Sequence, residues 1–496
     1  MRSSIMVFSP FQAALRHLCA GVVIGLTAVT AQAQPRTSLP AEVGAALDRA
    51  KVPREAMAVV VQDVTERDSA RLAWQAQAAV NPASLMKLVT TSAALDVLGP
   101  AYTWTTPVWL QGSLRAGNSG VFDGNLVIKG SGDPKLVFER VWLLLRRVQQ
   151  LGVRDIHGDI VLDRSAFEVP AKNPGDFDGE ALRPYNVGAD ALLLNYKSVS
   201  FTFTPDAQRG VAVVSFEPPL EGVQVEARVP LAAGVGATVC NDWREALKAD
   251  FSDPRKLRFK GIYSPACGEK TWPLAYPEPA AYSQRVLAGL WAEMGGQLAG
   301  RVREGQAPDT PPTFLVTSPT LLEVTRDINK FSNNVMAQQL FLTLGLTQRG
   351  LGTPDNAREV LRQWLTTRFG EAARAAVVDN GSGLSRDGRI SAQLLARLLQ
   401  ESAAGTQMSE LMSSLPVNGV DGTLKRSKAP PGRAHLKTGS LRDVSGVAGY
   451  VLGASGRRYV LVAIINHPNA GAAKAALDAL IEWTARDTST DLQALK

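Results

Sequence analysis

The chain has 496 residues, of which 45% are hydrophobic and 20% charged, so it is long enough to bury two or three hydrophobic cores. This composition excludes an intrinsically disordered protein. The 53 basic and 46 acidic residues leave a net charge of +7, with no run of five or six basic residues and no aromatic interleaving. That pattern is typical of a solvated surface and argues against nucleic-acid binding, while it is compatible with attraction to an anionic cell-envelope polymer.

The N-terminus has the layout of a secretory signal peptide. Arg2 and Arg16 precede an apolar run, Leu18–Val29, and an Ala-Gln-Ala sequence ends at Ala33. We expect cleavage after about Ala33 and a periplasmic protein. The run is too short to span a membrane, Cys19 within it lacks the small residues that precede a lipidated cysteine, and no later stretch reaches 18 apolar residues. The sequence therefore predicts no stable membrane anchor.

The first predicted elements after the leader are a short helix, two strands and a longer helix. Glu42–Lys51 is weakly helical, and Met57–Val64 and Arg71–Gln75 read as strands. Helical spacing then begins near Pro82 and stops at Gly99.

The pattern changes between residues 105 and 280, where short β runs are separated by Gly, Pro and Asp. One predicted helix, Lys135–Leu151, interrupts them. The predicted strands are Asn125–Lys129, Ile156–Leu162, Ser198–Thr204, Val211–Phe216 and Leu257–Tyr263. We interpret this stretch as a β-rich insertion of one or two subdomains.

Helical periodicity returns from about residue 281, and the chain ends with a hairpin and a closing helix. The predicted helices are Ala281–Met294, Thr320–Leu346, Asn356–Phe369, Ser391–Ala403 and Ala472–Arg486, and the predicted strands are Ala434–Gly439, Gly446–Leu452 and Arg458–Asn466. A tight turn at Gly453–Gly456 requires the last two strands to be antiparallel. The sequence thus predicts an α/β protein with an antiparallel sheet flanked by helices. Its parts are a leader, 1–33, a domain formed by 34–104 and 281–496, and an inserted region, 105–280.

The first chemical motif is Ser84-Leu-Met-Lys87 at the start of a helix. Its spacing places a hydroxyl and an amine on one helix face. A desolvated lysine beside a second cation loses its proton near neutral pH and can activate a serine. Taken alone, the spacing is more often that of a solvated helix face.

The second motif is Ser332-Asn-Asn334, in a loop that starts a helix. It is either an N-cap or a proton relay, Ser332, next to an amide, Asn334, that holds a substrate backbone.

The third motif is Lys437-Thr-Gly-Ser440 on a predicted strand. The lysine is either a solvated edge residue or the second cation that Lys87 requires. Gly439 indicates close approach of another group to the backbone, and the amide that follows it is a candidate for oxyanion binding.

The order Ser-x-x-Lys, Ser-x-Asn, Lys-Thr-Gly is the set shared by penicillin-recognising serine enzymes. The interval of 248 residues from Ser84 to Ser332 resembles class C low-molecular-mass penicillin-binding proteins, the D-alanyl-D-alanine carboxypeptidases/endopeptidases. Further matching segments are Asn81–Leu88, Gly130–Pro134, Asp379–Arg386, Gly419–Thr423 and His435–Leu441. The resemblance implies a penicillin-binding/β-lactamase-like transpeptidase fold with a large insertion, peptidoglycan stem peptides as substrates and inhibition by β-lactam antibiotics. In the third of these segments, Asp379, Gly381 and Gly383 also read as turn formers.

The resemblance also implies a role for each motif residue. Ser84 would be acylated, Lys87 would act as base and Ser332 as relay, with the group that takes the first proton left open. The oxyanion would lie against the backbone amides of Ser84 and Ser440. The implied substrate-binding residues are Asn334, Lys437, Thr438, Ser440, Asp163, Phe167, Arg386 and Arg442.

Three of these residues match the family's positions for the amino-acid side chain of the stem peptide. They are Asp163, Phe167 and Arg386; the alternatives are a strand-end turn for Asp163 and a core aromatic for Phe167. Arg442 departs from relatives that often have glutamine there, which suggests an extra substrate carboxylate.

Cysteine and histidine counts limit the other chemistries. After the leader only Cys240 and Cys267 remain, and in an oxidising compartment they can pair only with each other, the alternative being two free thiols. The remaining histidines, His157, His435 and His467, form no His-x-x-x-His pair, so we expect no metal and no cofactor. The competing hypotheses are a β-lactamase or esterase on the same fold, and a wall-binding scaffold without catalysis.

Overall fold

The computed structural model describes residues 38–67, 69–117 and 120–487, and the predicted leader with its cleavage position lies outside them. Within these ranges the α-helices are α1 (Ala41–Arg49), α2 (Met86–Leu98), α3 (Phe138–Gln150), α4 (Trp243–Ala246), α5 (Pro279–Glu293), α6 (Leu321–Phe331), α7 (Asn334–Arg349), α8 (Pro354–Phe369), α9 (Ala392–Ala404), α10 (Met408–Ser414) and α11 (Lys474–Arg486).

The strands of the same ranges are numbered in chain order. They are β1 (Met57–Asp63), β2 (Ala70–Trp74), β3 (Ala79–Val80), β4 (Thr105–Leu114), β5 (Val121–Lys129), β6 (Asp155–Ile156), β7 (Ile160–Asp163), β8 (Ser198–Asp206), β9 (Val211–Glu217), β10 (Gln224–Val225), β11 (Arg228–Pro230), β12 (Ala249–Asp250), β13 (Lys256–Phe259), β14 (Lys270–Ala275), β15 (Gln297–Leu298), β16 (Val302–Glu304), β17 (Phe314–Thr317), β18 (Ile390–Ser391), β19 (Ala434–Leu441), β20 (Val444–Leu452) and β21 (Arg458–Asn466).

A five-stranded antiparallel sheet in the order β19-β20-β21-β1-β2 forms the centre of the peptidase-like part. β20 and β21 are buried along almost their whole length because helices cover both faces of the sheet. One face packs against α1 and α11, and the other against α2 and α9. The predicted fold class, an antiparallel sheet flanked by helices with a β-rich insertion, is confirmed.

The inserted region contains sheets of seven, four and three strands around its own core. Its second boundary lies later than residue 280. β15 and β16 pair with β6 and β7, β17 pairs with β4, and Tyr282, Leu287 and Trp291 of α5 are buried in the inserted core. Strand pairing therefore moves this boundary to about Thr317, and we propose it there instead of at residue 281.

The predicted helical stretch Thr320–Leu346 is two helices. α6 ends at Phe331, and Ser332 has a φ of +57°, in the left-handed region that a right-handed helix cannot contain. The Asn333 side chain then accepts a hydrogen bond from the Met336 amide at 3.0 Å and caps α7. Ser332, the serine of the second motif, therefore lies between the two helices and belongs to neither.

The predicted bond between Cys240 and Cys267 is present, with a Cα–Cα distance of 4.8 Å. It closes a loop that carries α4, β12 and β13. No helix in the described ranges has the length and apolarity needed to cross a membrane.

Removing the disulfide is expected to loosen this loop. The double variant Cys240→Ser/Cys267→Ser should lower the local free energy of unfolding by about 3 kcal/mol, because the cross-link restricts a loop of roughly thirty residues in the unfolded chain. Hydrogen exchange of the β12 and β13 amides measures this loss. The control is Ser264→Ala, which removes a single hydrogen bond to the Val239 carbonyl across the same segments and should cost only about 1 kcal/mol. Equal protection in the two variants would contradict the expectation.

Candidate active site

Ser84 lies in a short turn of 3₁₀-helix, Ala83–Leu85, that leads directly into α2. The Asn81 side chain holds this turn in place. Its side-chain oxygen accepts a hydrogen bond from the Ala83 amide at 2.8 Å, and its side-chain nitrogen donates to the Ser385 carbonyl at 3.0 Å. The Asn466 side chain, at the end of β21, bonds both backbone groups of Asn81. The serine is therefore tied to the central sheet and to the 379–385 loop.

Lys87 is fully buried one helical turn after Ser84. Its Nζ donates to the Asn334 Oδ1 and to the Ser382 carbonyl oxygen, both at 2.6 Å, and lies 2.9 Å from the Ser84 Oγ. The two oxygens can only accept, so they take the two N–H groups of a neutral amine. The lone pair of that amine is then left for the Ser84 hydroxyl proton.

Burial, and next the positive charge of Lys437, hold the pKa of Lys87 well below its usual range. Lys437 is also fully buried, and burial lowers its pKa to about 7. Its Nζ donates to the Ser332 Oγ and to the Thr438 carbonyl oxygen, both at 2.8 Å. Each of the two serine hydroxyls is therefore hydrogen-bonded to a different lysine, Ser84 to Lys87 and Ser332 to Lys437.

β19 passes alongside the Ser84 turn at the edge of the central sheet. A methyl group on Gly439 would lie 2.6 Å from the Pro82 carbonyl oxygen, so only glycine allows this approach. The backbone N–H groups of Ala434 and Leu436 point outward, where residues 416–418 bond them. By the alternation of a strand, the N–H groups of Thr438 and Ser440 point the same way, toward the site.

The 379–385 loop forms the floor of the site. Besides the Ser382 carbonyl that binds Lys87, it contains Gly383, whose φ is +76°. A methyl group there would overlap the Ala83 carbonyl oxygen. The Asn380 side chain closes the loop through bonds to the Leu384 carbonyl and the Ser382 amide. Asp379, Gly381 and Gly383 read as turn formers in the sequence, and the contact of this segment with Lys87 was not predicted.

Asp163 and Phe167 have the contacts of structural residues. Both carboxylate oxygens of Asp163, which is 2% exposed, accept backbone bonds at 2.8 Å, from Ser165 and Ala307. The Phe167 ring packs on Gly132 and Gly352 in a buried cluster. The contacts favour the turn and the core aromatic over the predicted substrate roles.

The inserted region reaches the site through another segment, between residues 173 and 186. The Tyr185 carbonyl accepts a bond from the Asn334 side-chain amide at 3.4 Å, and the Arg386 guanidinium lies 4.7 Å from the centre of the Phe177 ring. Arg386 also pairs with Asp443 at 3.1 Å, and Arg442 beside it is exposed. Sequence reasoning missed Phe177 and Tyr185; the available signal was aromatic residues in a loop rich in Gly, Pro and Asp.

The comparisons with known proteins agree with this geometry. Residues 39–487 match the D-Ala-D-Ala carboxypeptidase 3 (S13) family. The chain is 25% identical over 401 residues to the D-alanyl-D-alanine carboxypeptidase DacB of Haemophilus influenzae, covering 78% of this chain and 81% of that protein. It is 28% identical over 415 residues to a D-alanyl-D-alanine carboxypeptidase of Actinomadura sp., covering 80% and 75%. The crystal structure of penicillin binding protein 4 (dacB) from Haemophilus influenzae superposes with a TM-score of 0.69 at 22% identity, over 89% of this chain and 99% of that chain.

A sheet flanked by helices, with the three motifs meeting between them, defines a penicillin-recognising serine enzyme. The particular family follows from the match over almost the whole described chain. The protein belongs to the D-Ala-D-Ala carboxypeptidase 3 (S13) family and is a serine-type D-Ala-D-Ala carboxypeptidase.

Replacing Gly383 should displace the Ser84 turn. We expect Gly383→Ala to slow acylation by fluorescent penicillin at least ten-fold, because its methyl group overlaps the Ala83 carbonyl. Gly295→Ala is the matched control, since Gly295 has a φ of +78° and no described residue has an atom within 4 Å of the added methyl group. The two variants share the backbone strain, so equal acylation rates would show that the overlap has no effect on the serine.

Removing the charge of Lys437 should move the pH dependence of acylation. If Lys87 is the base, as the sequence motif predicts, its neutral form is the reactive one, so the acylation rate should rise with pH through the pKa of Lys87. Lys437⁺, present below about pH 7, opposes protonation of Lys87. Lys437→Met should therefore shift the acidic limb of the normalised rate–pH profile to higher pH, and Lys437→Arg, which keeps a charge, should leave it in place. A limb that stays fixed or moves to lower pH in Lys437→Met would exclude this coupling.

Proposed function

We propose that the protein cuts the D-alanyl peptide bond of peptidoglycan stem peptides through an acyl-enzyme on Ser84. The observation that carries the proposal is the buried Lys87, whose two short bonds to carbonyl oxygens leave its lone pair for the Ser84 hydroxyl. A nucleophile and a base at hydrogen-bonding distance, with the base held by further groups, are the requirement for covalent catalysis by serine.

Acylation begins with transfer of the Ser84 proton to Lys87 as the Oγ attacks the carbonyl carbon of the penultimate D-alanine. The oxyanion that forms lies against the backbone N–H groups of Ser84 and Ser440. The first stands at the start of α2, where the helix dipole favours negative charge, and the second lies on the outward edge of β19.

The leaving amine receives its proton through Ser332. The Ser332 hydroxyl donates to the amine nitrogen as the C–N bond breaks and regains a proton from the lysines, with Lys437 holding its Oγ at 2.8 Å. Water then attacks the ester carbonyl, Lys87 accepts its proton, and Ser84 leaves with a proton. Every proton that Lys87 accepts is returned within the cycle, so no cofactor is required.

Substrate contacts are proposed for the groups that border Ser84. The Asn334 amide, held between Lys87 and the Tyr185 carbonyl, faces the peptide backbone of the substrate. Thr438 and Ser440 supply hydroxyls to the terminal carboxylate, and the charge of Lys437 behind them attracts it. Arg386 and Arg442 are proposed to bind the carboxylate of the stem side chain.

We also propose that the protein acts in the periplasm after export by the leader. The disulfide between Cys240 and Cys267 supports an oxidising compartment.

Mass spectrometry with benzylpenicillin, and separately with a muropeptide ending in D-Ala-D-Ala, tests the nucleophile. The wild-type protein should gain a long-lived penicilloyl adduct on the Ser84 peptide and release one alanine, and rapid release of hydrolysed antibiotic would instead indicate a β-lactamase. Ser84→Ala should remain folded and lose both signals by roughly 10³-fold or more. The control is Ser92→Ala, a buried serine on the same helix whose hydroxyl has no hydrogen-bond partner among the described residues, and it should keep both. An adduct on folded Ser84→Ala would exclude Ser84 as the nucleophile.

A further inference from the structure

A positively charged loop lies beside the active site and is not used by the chemistry. We call residues 419–433 the basic loop. Its four cations, Lys425, Arg426, Lys428 and Arg433, are all exposed. In the part of the chain that the structure describes, none of them forms an ion pair. The only carboxylate of the loop, Asp421, already pairs with Lys330 at 2.8 Å.

The loop is held in one arrangement by its buried residues. Asn418, fully buried at its base, donates to the Pro430 carbonyl at 2.7 Å and accepts from the Ala434 amide at 2.8 Å. Leu424 and Ala429 point into the core of the central sheet. The Ser427 hydroxyl donates to Asp478 on α11 at 2.7 Å. Because the polar and apolar anchors face inward, the cations between them face solvent.

The basic loop is joined to the catalytic strand. The Thr423 and Thr438 hydroxyls are 2.7 Å apart, and Thr438 is the residue next to Lys437. Lys425 is two residues beyond Thr423, so their Cα atoms are within about 7.6 Å. Two apolar side chains next to site residues in the chain are also exposed, Val420 in the basic loop at 54% and Phe331 before Ser332 at 66%. The basic loop is therefore close enough to Ser84 for a bound polymer to contact both.

We propose that the basic loop binds carboxylates of the peptidoglycan polymer, on stem peptides next to the one being cut. This inference rests on the proposed function, which places such a polymer at Ser84. Each uncut stem peptide ends in a carboxylate, so the polymer presents these anions repeatedly, and four unpaired cations on a fixed loop match that repetition. The loop adds affinity and orientation for polymeric wall without touching the scissile bond.

Such a site has a distinct electrostatic signature. Exposed ion pairs are each worth a factor of about 1.5 to 5 in affinity and are screened over about 8 Å at physiological salt. The loop should therefore matter for polymer binding at low ionic strength and leave acylation by a small β-lactam unchanged.

The test is co-sedimentation with purified, insoluble peptidoglycan at low and high salt. All proteins carry Ser84→Ala, so that the wall is not cut during the measurement. The loop variant replaces Lys425, Arg426, Lys428 and Arg433 with Gln. The matched control replaces four exposed cations of the inserted region, Arg228, Lys256, Arg258 and Lys270, with Gln, and so has the same net charge.

The proposal expects the loop variant to bind wall roughly ten-fold or more weakly at low salt, and the control to bind like the parent. On wall whose carboxylates have been amidated, the parent should bind more weakly and the difference between the parent and the loop variant should disappear. Equal binding by loop variant and parent, or equal loss in both charge variants, would overturn the proposal. So would undiminished binding to amidated wall, or binding to phosphatidylglycerol vesicles that matches binding to wall, because phosphate would then be the ligand.

Penicillin labelling separates this proposal from the one it rests on. The same two charge variants with Ser84 intact should react with fluorescent penicillin at the wild-type rate. If the wild-type protein is not labelled, the proposed function is wrong. If both charge variants are labelled at the wild-type rate but lose wall binding equally, only the proposal for the basic loop is wrong.

Discussion

The site depends on two lysine amines buried close together without a carboxylate to neutralise either. Within the described residues Lys87 and Lys437 form no ion pair, and their partners are hydroxyl, amide and carbonyl oxygens. Lys330 is almost as buried but has Asp421 as an acidic partner. A buried cation that lacks such a partner is destabilised, so the amine loses its proton, and a neutral amine next to a serine is a base. The low pKa of these lysines therefore follows from the lack of a carboxylate beside them among the described residues.

That arrangement requires three distant segments to meet with close backbone contact. Ser84, Ser332 and Lys437 lie on three different elements, and each is placed by a local irregularity. These are the 3₁₀ turn before α2, the left-handed residue between α6 and α7, and the glycine of β19 against Pro82. Lys87 and Lys437 are fully buried beside the central sheet, while Ser84 and Ser332 stay partly exposed to the substrate side. The left-handed backbone of Ala83 and Ser332 is held by the surrounding hydrogen bonds, as expected for an active site.

The sequence predicted the motif residues and the fold class because their signals are short-range. Spacing of three along a helix puts Ser84 and Lys87 on one face in any context, and long periodic segments such as β20 and β21 are recognisable alone. The predicted helical range Thr320–Leu346 ran across Ser332 because apolar periodicity continues there, whereas the second motif alone indicated a loop that starts a helix.

The second boundary of the inserted region was missed because β15 and β16 have two and three residues, too few for a pattern. Asp163 and Phe167 matched family positions, but sequence cannot tell whether a side chain at a strand end faces the core or the cleft. Phe177 and Tyr185, in a segment without periodicity, reach the site instead.

The edge of β19 connects the catalytic and the charged surfaces. Residues 416–418 bond its first outward N–H groups, those of Ala434 and Leu436, and thereby protect half of an edge strand that would otherwise be open. The other half, Thr438 and Ser440, stays available for an extended peptide to pair with. The basic loop begins where that protecting segment ends, so the residues that close one half of the edge also fix the position of the cations beside the open half. The proposed substrate strand along Thr438 and Ser440 and the proposed carboxylate site at Lys425 and Arg426 thus share one anchor, residues 416–418.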